Sequence, residues 1–325
     1  MGDTYMNKDT YYQLLQLGFY RRILREREEN KKKAGIMRGG NSSALVNGKV
    51  VGIDPRLTLL RYLGIEMPSS FDDYLLFDAG FANEDAHSAL LKEAGVDFKC
   101  EEEIPVSYTI QTKSGAEVLV TGRPDRGIIK DGKLAVIVEE KMIASSWKAK
   151  QLSHWGDVSP KPENIIQGAH YSMAHGMLPA ILCYTNRAWH AMKVKRENLT
   201  LPDHRSVLGD GDWTFGVKPF MTLYNLEWRD DKLFVENKST IITPKSIKDY
   251  YKMIAECAED GVVPNMHYLD VWGRPMTKSK VEKYYDWSHI PEDDYNEWVA
   301  LIQAECDEAW ADVENELREL EESLG

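Results

Sequence analysis

A chain of 325 residues can bury a sizeable core in one large domain or two modest ones, and 43% hydrophobic with 28% charged residues is ordinary for a globular enzyme. No apolar run approaches the ~20 residues of a membrane span, and the opening MGDTYMNKDT has neither a secretion-signal layout nor, with Met6 where Ser or Thr is wanted, a myristoylation motif. The cytoplasm is therefore the expected compartment, and the net charge of −12 excludes less than it suggests, because residues 291–325 alone hold 13 Asp or Glu and one Arg.

In chain order, residues 10–33 read as a helix, with Leu14, Leu15, Leu17, Ile23 and Leu24 apolar among polar neighbours. Residues 21–38 hold eight basic and three acidic side chains, a local net charge of +5. Such a stretch either tracks a phosphate backbone, with salt-dependent binding, or is a solvated face with helical pairs such as Glu28–Lys32. Residues 35–48, rich in Gly and Ser, read as a loop. Helices follow over about 55–63 and 71–94, the second closed by Gly95.

From residue 97 to 142 the period becomes two, and Asp131-Gly132 between β-rich runs signals a hairpin. The run LAVIV (134–138) is apolar on both faces, as in a doubly covered central strand. A helix over 164–175, a strand over 180–184, a hairpin over 220–228 and 232–235 and a helix over 246–259 complete the middle of the chain. Residues 292–324 form a last amphipathic helix with Trp298, Ile302, Cys306, Trp310, Val313, Leu317, Leu320 and Leu324 on one stripe. That stripe must be covered by its own domain or by a second subunit, so the helix is a candidate docking or homo-oligomer element. Strands flanked by helices predict an α/β fold with a central mixed sheet and helical N- and C-terminal additions. The division is a helical N-terminal region (1–70), a core (71–260) and a C-terminal segment (261–325). Cys100, Cys183, Cys257 and Cys306 lie far apart without zinc-like spacing and are expected as free thiols.

Four short motifs occur in one order: Gly80-x-x-x-Glu84, Gly122-Arg-Pro-Asp125, Glu139-Glu-Lys141 and Gln167-x-x-x-Tyr171. Alternation along a strand puts Glu139 and Lys141 on one face and Glu140 on the other. Asp125 precedes the partner strand of the hairpin and can reach the same end of the sheet. Two converging carboxylates suit a hard cation, Mg²⁺ or Mn²⁺, and a neighbouring lysine can hold or deprotonate a water. A lone Glu-x-Lys is more often a solvated strand end, but here it ends an apolar central strand, where unpaired charge is costly. Glu84 offers a third ligand, and His87, one turn on and on the same helix face, is the weaker candidate for that place. Taken alone, Glu84 reads better as an exposed carboxylate, and Gln167 with Tyr171 as an ordinary polar helix face.

In combination the four motifs resemble the RecB-type branch of the PD-(D/E)xK nuclease superfamily, which includes phage and CRISPR-associated exonucleases. The resemblance covers residues 80–171. It implies a restriction-endonuclease-like core, metal binding by Asp125, Glu139 and Glu84, a catalytic Lys141, and Gln167 and Tyr171 placing Lys141 or the DNA strand. The implied activity is metal-dependent hydrolysis of DNA, from ends, in replication, recombination or degradation of foreign DNA. A catalytically silent nucleic-acid-binding scaffold and an endonuclease of the same superfamily are the rivals. Many relatives carry a four-cysteine iron–sulfur cluster; here Asp54 stands where the first cysteine falls, and residues 279–288, with Tyr284 and Tyr285, contain none. No cluster is expected, its bracing role passing to the final helix. Trp147, Lys148, Lys150, Trp155 and Lys161 interleave aromatic and basic groups, which suits stacking of single-stranded DNA, although core packing of a tryptophan competes.

Overall fold

The computed structural model describes residues 8–143, 160–186, 191–195, 206–207, 213–217, 221–264, 267–276 and 289–324. The segment with Trp147, Lys148, Lys150 and Trp155, and residues 279–288, lie outside these; Lys161 lies within them, at the N-cap of a helix.

Helix α1 spans Lys8–Lys31, α2 Pro55–Tyr62 and α3 Phe71–Glu93. Asp54 caps α2 by accepting from the Arg56 backbone N–H at 2.9 Å, and Ser70 caps α3 through the Asp73 N–H at 3.1 Å, each satisfying a donor left over at a helix start. Between α1 and α2 the chain is not the loop its Gly and Ser content predicts. It forms β1 (Ile36–Arg38) and the hairpin β2 (Ala44–Val46) and β3 (Lys49–Val51). Met37 and Ala44 are buried there, so the N-terminal region is helical only in part. These strands are too short for a period-two pattern to register.

The main sheet has seven strands in the order β15-β14-β13-β9-β8-β7-β4. They are β4 (Phe98–Cys100), β7 (Arg126–Lys130), β8 (Lys133–Ile143), β9 (Ala180–Asn186), β13 (Met221–Arg229), β14 (Lys232–Val235) and β15 (Lys238–Ser239). β7 and β8 are joined through Asp131 and Gly132, both at positive φ (53° and 71°), the backbone a tight hairpin needs. β8 and β9 are parallel, whereas the other pairs are antiparallel, so the sheet is mixed. A parallel pair requires a crossover, and the one between β8 and β9 contains helix α4 (Pro162–Ala174).

A second sheet, β1-β6-β5, is built from β5 (Val106–Gln111) and β6 (Glu117–Gly122), with β1 parallel to β6. A further three strands, β10 (Ala191–Lys195), β11 (Ser206–Val207) and β12 (Trp213–Val217), pair in the order β10-β12-β11. Helix α5 (Pro244–Asp260) buries Ile247, Tyr250, Tyr251 and Ile254 in the main core, and Gly261 ends it at φ 64°.

The last helix, α6 (Tyr295–Leu324), is covered within the chain itself. Trp298, Ile302 and Cys306 enter the main core, and Trp310 meets Phe19, Tyr20 and Ile23 of α1 in a second cluster. Along this seam Arg21 pairs with Glu321 at 2.7 Å and Arg27 with Glu314 at 3.0 Å, while the Arg27 guanidinium lies 4.7 Å from the Trp310 ring centre. Arg22 and Lys31 pair within α1 with Glu26 and Glu28. Much of the basic stretch is thus matched by acidic side chains of α1 and α6. Among the described residues no helix is long and apolar enough to cross a membrane, and the four cysteines, on β4, β9, α5 and α6, form no disulfide.

Candidate active site

Strand β8 ends in Glu139, Glu140 and Lys141, and alternation separates them as the sequence requires. On the face covered by α4, Glu139 is fully buried, its Cβ 3.8 Å from where a Cβ on Gly168 would stand. Lys141 folds back along the strand and its ammonium meets Glu139 Oε1. The other oxygen, Oε2, is buried without a hydrogen-bond partner among the described residues. Asp125, just before β7, accepts the Glu140 backbone N–H at 2.6 Å and so sits beside the same strand end. Glu84 on α3 completes the group, close enough for its charge to be felt by Glu139 and Lys141 and for Asp125 to act on it in turn.

The electrostatics follow from burying acids together. Burial first, then Asp125, push Glu139 up to about 8 against the pull of Lys141. Burial, then Asp125 and Glu140, push Glu84 up to about 7. Asp125 is also raised by burial, with Lys141 and the Glu140 N–H opposing. For Lys141, burial alone would lower the ammonium, but Glu139 and Asp125 outweigh it and hold it above its ordinary value. The ammonium pairs with Glu139 and feels the charge of Asp125 and Glu84, and a buried acceptor is left over. Such a cluster has a deficit of positive charge that a divalent cation would fill. Among the described residues no three His, Cys, Asp or Glu side chains stand together as a ready ligand set.

Gln167 and Tyr171 lie on α4 above this face, with Gln167 Nε2 donating to the Tyr171 hydroxyl at 3.3 Å. Tyr171 is buried, and its ring occupies the space that side chains at positions 122 and 39 would need. A Cβ on Gly122 would stand 2.5 Å from Tyr171 Cε1, and one on Gly39 2.7 Å. Gly122 ends β6, and Gly39, which directly follows the parallel strand β1, lies beside it. The glycine of one motif is therefore the seat of the tyrosine of another. No sequence spacing links Gly39 to them; only the β1–β6 pairing does. Gly80, by contrast, has open space where a Cβ would go, so no close packing demands a glycine there.

His87 does not join the site carboxylates. It faces the other side of β8, with Nδ1 2.7 Å from Glu140 Oε2 and Nε2 3.4 Å from Thr185 Oγ1. Both ring nitrogens are engaged on that side, with Glu140 and Thr185. Sequence reasoning also missed two buried polar groups. Arg126 pairs with Glu140 behind the site. His170, fully buried and held down to about 3 by burial, is a neutral ring between Ser42 Oγ (2.9 Å) and the Tyr108 hydroxyl (3.0 Å). The neighbouring arginine of Asp125-Arg126, facing a buried carboxylate one strand away, was the available signal for the first.

No family model matches the chain, and no curated protein does. A solved structure described as "Crystal structure of SSO0001" aligns at 19% identity over 34% of this chain and 46% of its own, with a TM-score of 0.27, a likeness too slight to bear on the fold or the site.

Proposed function

We propose that this chain is a divalent-metal-dependent deoxyribonuclease of the RecB-type branch of the PD-(D/E)xK superfamily, with a restriction-endonuclease-like core, hydrolysing DNA from its ends in the cytoplasm. The observation that carries the reading is the meeting of Asp125, Glu139 and Lys141, with Glu84 beside them, at the end of a central strand, where Glu139 keeps one buried oxygen unpartnered. Structural ion pairs seldom leave an acceptor orphaned in this way. Asp125, Glu139 and Glu84 are the groups that would hold Mg²⁺ or Mn²⁺. The bound cation would supply Lewis-acid activation of the attacking water and neutralise charge at the phosphate.

Glu139 and Asp125, then Glu84, hold the Lys141 ammonium above its ordinary value against its burial. Its role is to orient the attacking water and to carry positive charge toward the phosphate oxygens. Gln167 and Tyr171 would help to place Lys141 or the DNA strand, Tyr171 acting from its buried seat on Gly39 and Gly122. Incubating end-labelled linear DNA and covalently closed circular DNA with the protein, each with Mg²⁺, Mn²⁺ or EDTA, tests the proposal. Metal-dependent release of label from linear DNA, with circles intact, is expected. Cutting of circles would replace the exonuclease with an endonuclease, and no cleavage of either substrate under any metal would overturn the nuclease reading.

A further inference from the structure

Behind β8 lies a buried polar unit that the proposed chemistry does not use. Arg126 follows Asp125 directly and is 2% exposed. One arm of its guanidinium pairs with Glu140 Oε1. The other donates to the Glu84 backbone carbonyl and to Ser88 Oγ, each at 2.8 Å. Its flat face lies 5.4 Å from the Phe98 ring centre. Glu140 is satisfied on both sides, its second oxygen taken by His87 at 2.7 Å, while its backbone N–H donates to Asp125 at 2.6 Å.

The way α3 is held makes this unit more than packing. The helix has 23 residues, yet its one fully buried residue is Asn83. Leu75, Leu76, Phe77, Phe81 and Leu90 are exposed. At its start Phe71 and Tyr74 pack on the α1 cluster, but over the turn that carries Glu84 no apolar side chain is buried. Polar contacts join this turn to the sheet: Arg126 to the Glu84 carbonyl and to Ser88, and Glu140 to His87. From these contacts we infer that Arg126, Glu140 and His87 form a positioning clamp, which sets the place of Glu84 and Asp125 in the candidate metal site from the opposite face of the strand. The inference rests on the nuclease reading.

An arginine is required because one planar group must reach a carboxylate, a carbonyl and a hydroxyl together; a lysine keeps the charge but lacks the fork. Groups that orient ligands from behind typically change metal affinity by about 10–100-fold when removed. The test compares wild type, Arg126→Lys and Ser88→Ala for Mn²⁺ binding, read from the electron paramagnetic resonance of free Mn²⁺, and for the Mn²⁺ concentration that half-activates cleavage of linear DNA. Thermal melts taken alongside set a temperature at which every variant is folded. Arg126→Lys is expected to weaken Mn²⁺ binding by about 10–100-fold, with cleavage partly restored at high Mn²⁺. Ser88→Ala, which removes one guanidinium partner and keeps the Glu140 pair, should shift the midpoint in the same direction by less. If Arg126→Lys fails to fold, the Ser88→Ala midpoint decides. A lowered melting temperature with wild-type Mn²⁺ midpoints would reduce the clamp to a stabilising pair and leave the nuclease reading standing. Wild-type protein that neither binds Mn²⁺ nor cuts DNA would overturn both.

Discussion

Glu139 and Glu140 are neighbours in the chain, both buried, and their surroundings are opposite in kind. On the α4 face Glu139 has one ammonium for company, two further carboxyls nearby and an oxygen with no partner. On the α3 face Glu140 has a guanidinium, an imidazole and no orphaned atom. Both oxygens of Glu140 are paired, which is what stability requires of a buried carboxylate, although Arg126 keeps its Nε–H buried without a partner among the described residues. A cluster short of positive charge is costly unless something else binds there. The contrast separates the side of the strand that holds the molecule together from the side available for chemistry, and it does so across a single peptide bond.

The largest expected effect comes from exchanging the two carboxylates in turn. Glu139→Gln should abolish metal-dependent cleavage while leaving the melting temperature of the metal-free chain unchanged or higher, because a buried acid among acids is removed. Glu140→Ala should do the reverse in stability, costing about 3–5 kcal/mol by leaving the Arg126 charge buried and unpaired. Denaturant melts beside a nuclease assay check both, and equal melting behaviour of the two variants would dissolve the comparison. Lys141→Ala should lower cleavage by about 10² to 10⁴ with Mn²⁺ affinity largely kept, since an ammonium is no ligand.

The seam between α1 and α6 supplies a case where burial rather than charge decides. Trp310 is 7% exposed and donates from its indole to the Glu66 carbonyl at 2.8 Å. Trp310→Ala should cost about 3–5 kcal/mol, measured by urea unfolding. Arg21→Ala, which breaks an ion pair whose partners are 61% and 45% exposed, should cost at most about 1 kcal/mol. A large loss from Arg21→Ala would mean that the charge match of the two helices, and not the tryptophan, joins them.

A last expected effect is a pH dependence. Glu139 and Glu84 stand at about 8 and about 7 in the folded chain, above the 4.5 of an unperturbed glutamate. A raised carboxyl binds more protons folded than unfolded, so its contribution is complete below the unfolded value and is lost as pH rises through the folded one. The metal-free chain should therefore lose stability as pH rises toward 7 and 8, and Glu139→Gln should flatten that fall. A profile identical in wild type and Glu139→Gln would mean that Glu139 is not the group titrating there.

Some of this architecture was legible from residue order alone. Strand alternation put Glu139 and Lys141 on one face and Glu140 on the other, Asp131-Gly132 marked the hairpin that brings Asp125 alongside, and the bounds of α3 and its closing Gly95 followed from capping chemistry. These are local properties, set by the geometry of a few consecutive residues. Tertiary structure alone decided what each surface meets. Glu140 finds Arg126 fourteen positions away and His87 fifty-three away. Gly39 and Gly122 become neighbours only because β1 joins β6 in parallel, and the basic face of α1 is answered by a helix nearly three hundred residues later. Period and composition say which face of an element is apolar or charged. They carry no information on which distant element covers it, and that choice is what separated the paired carboxylate from the unpaired one.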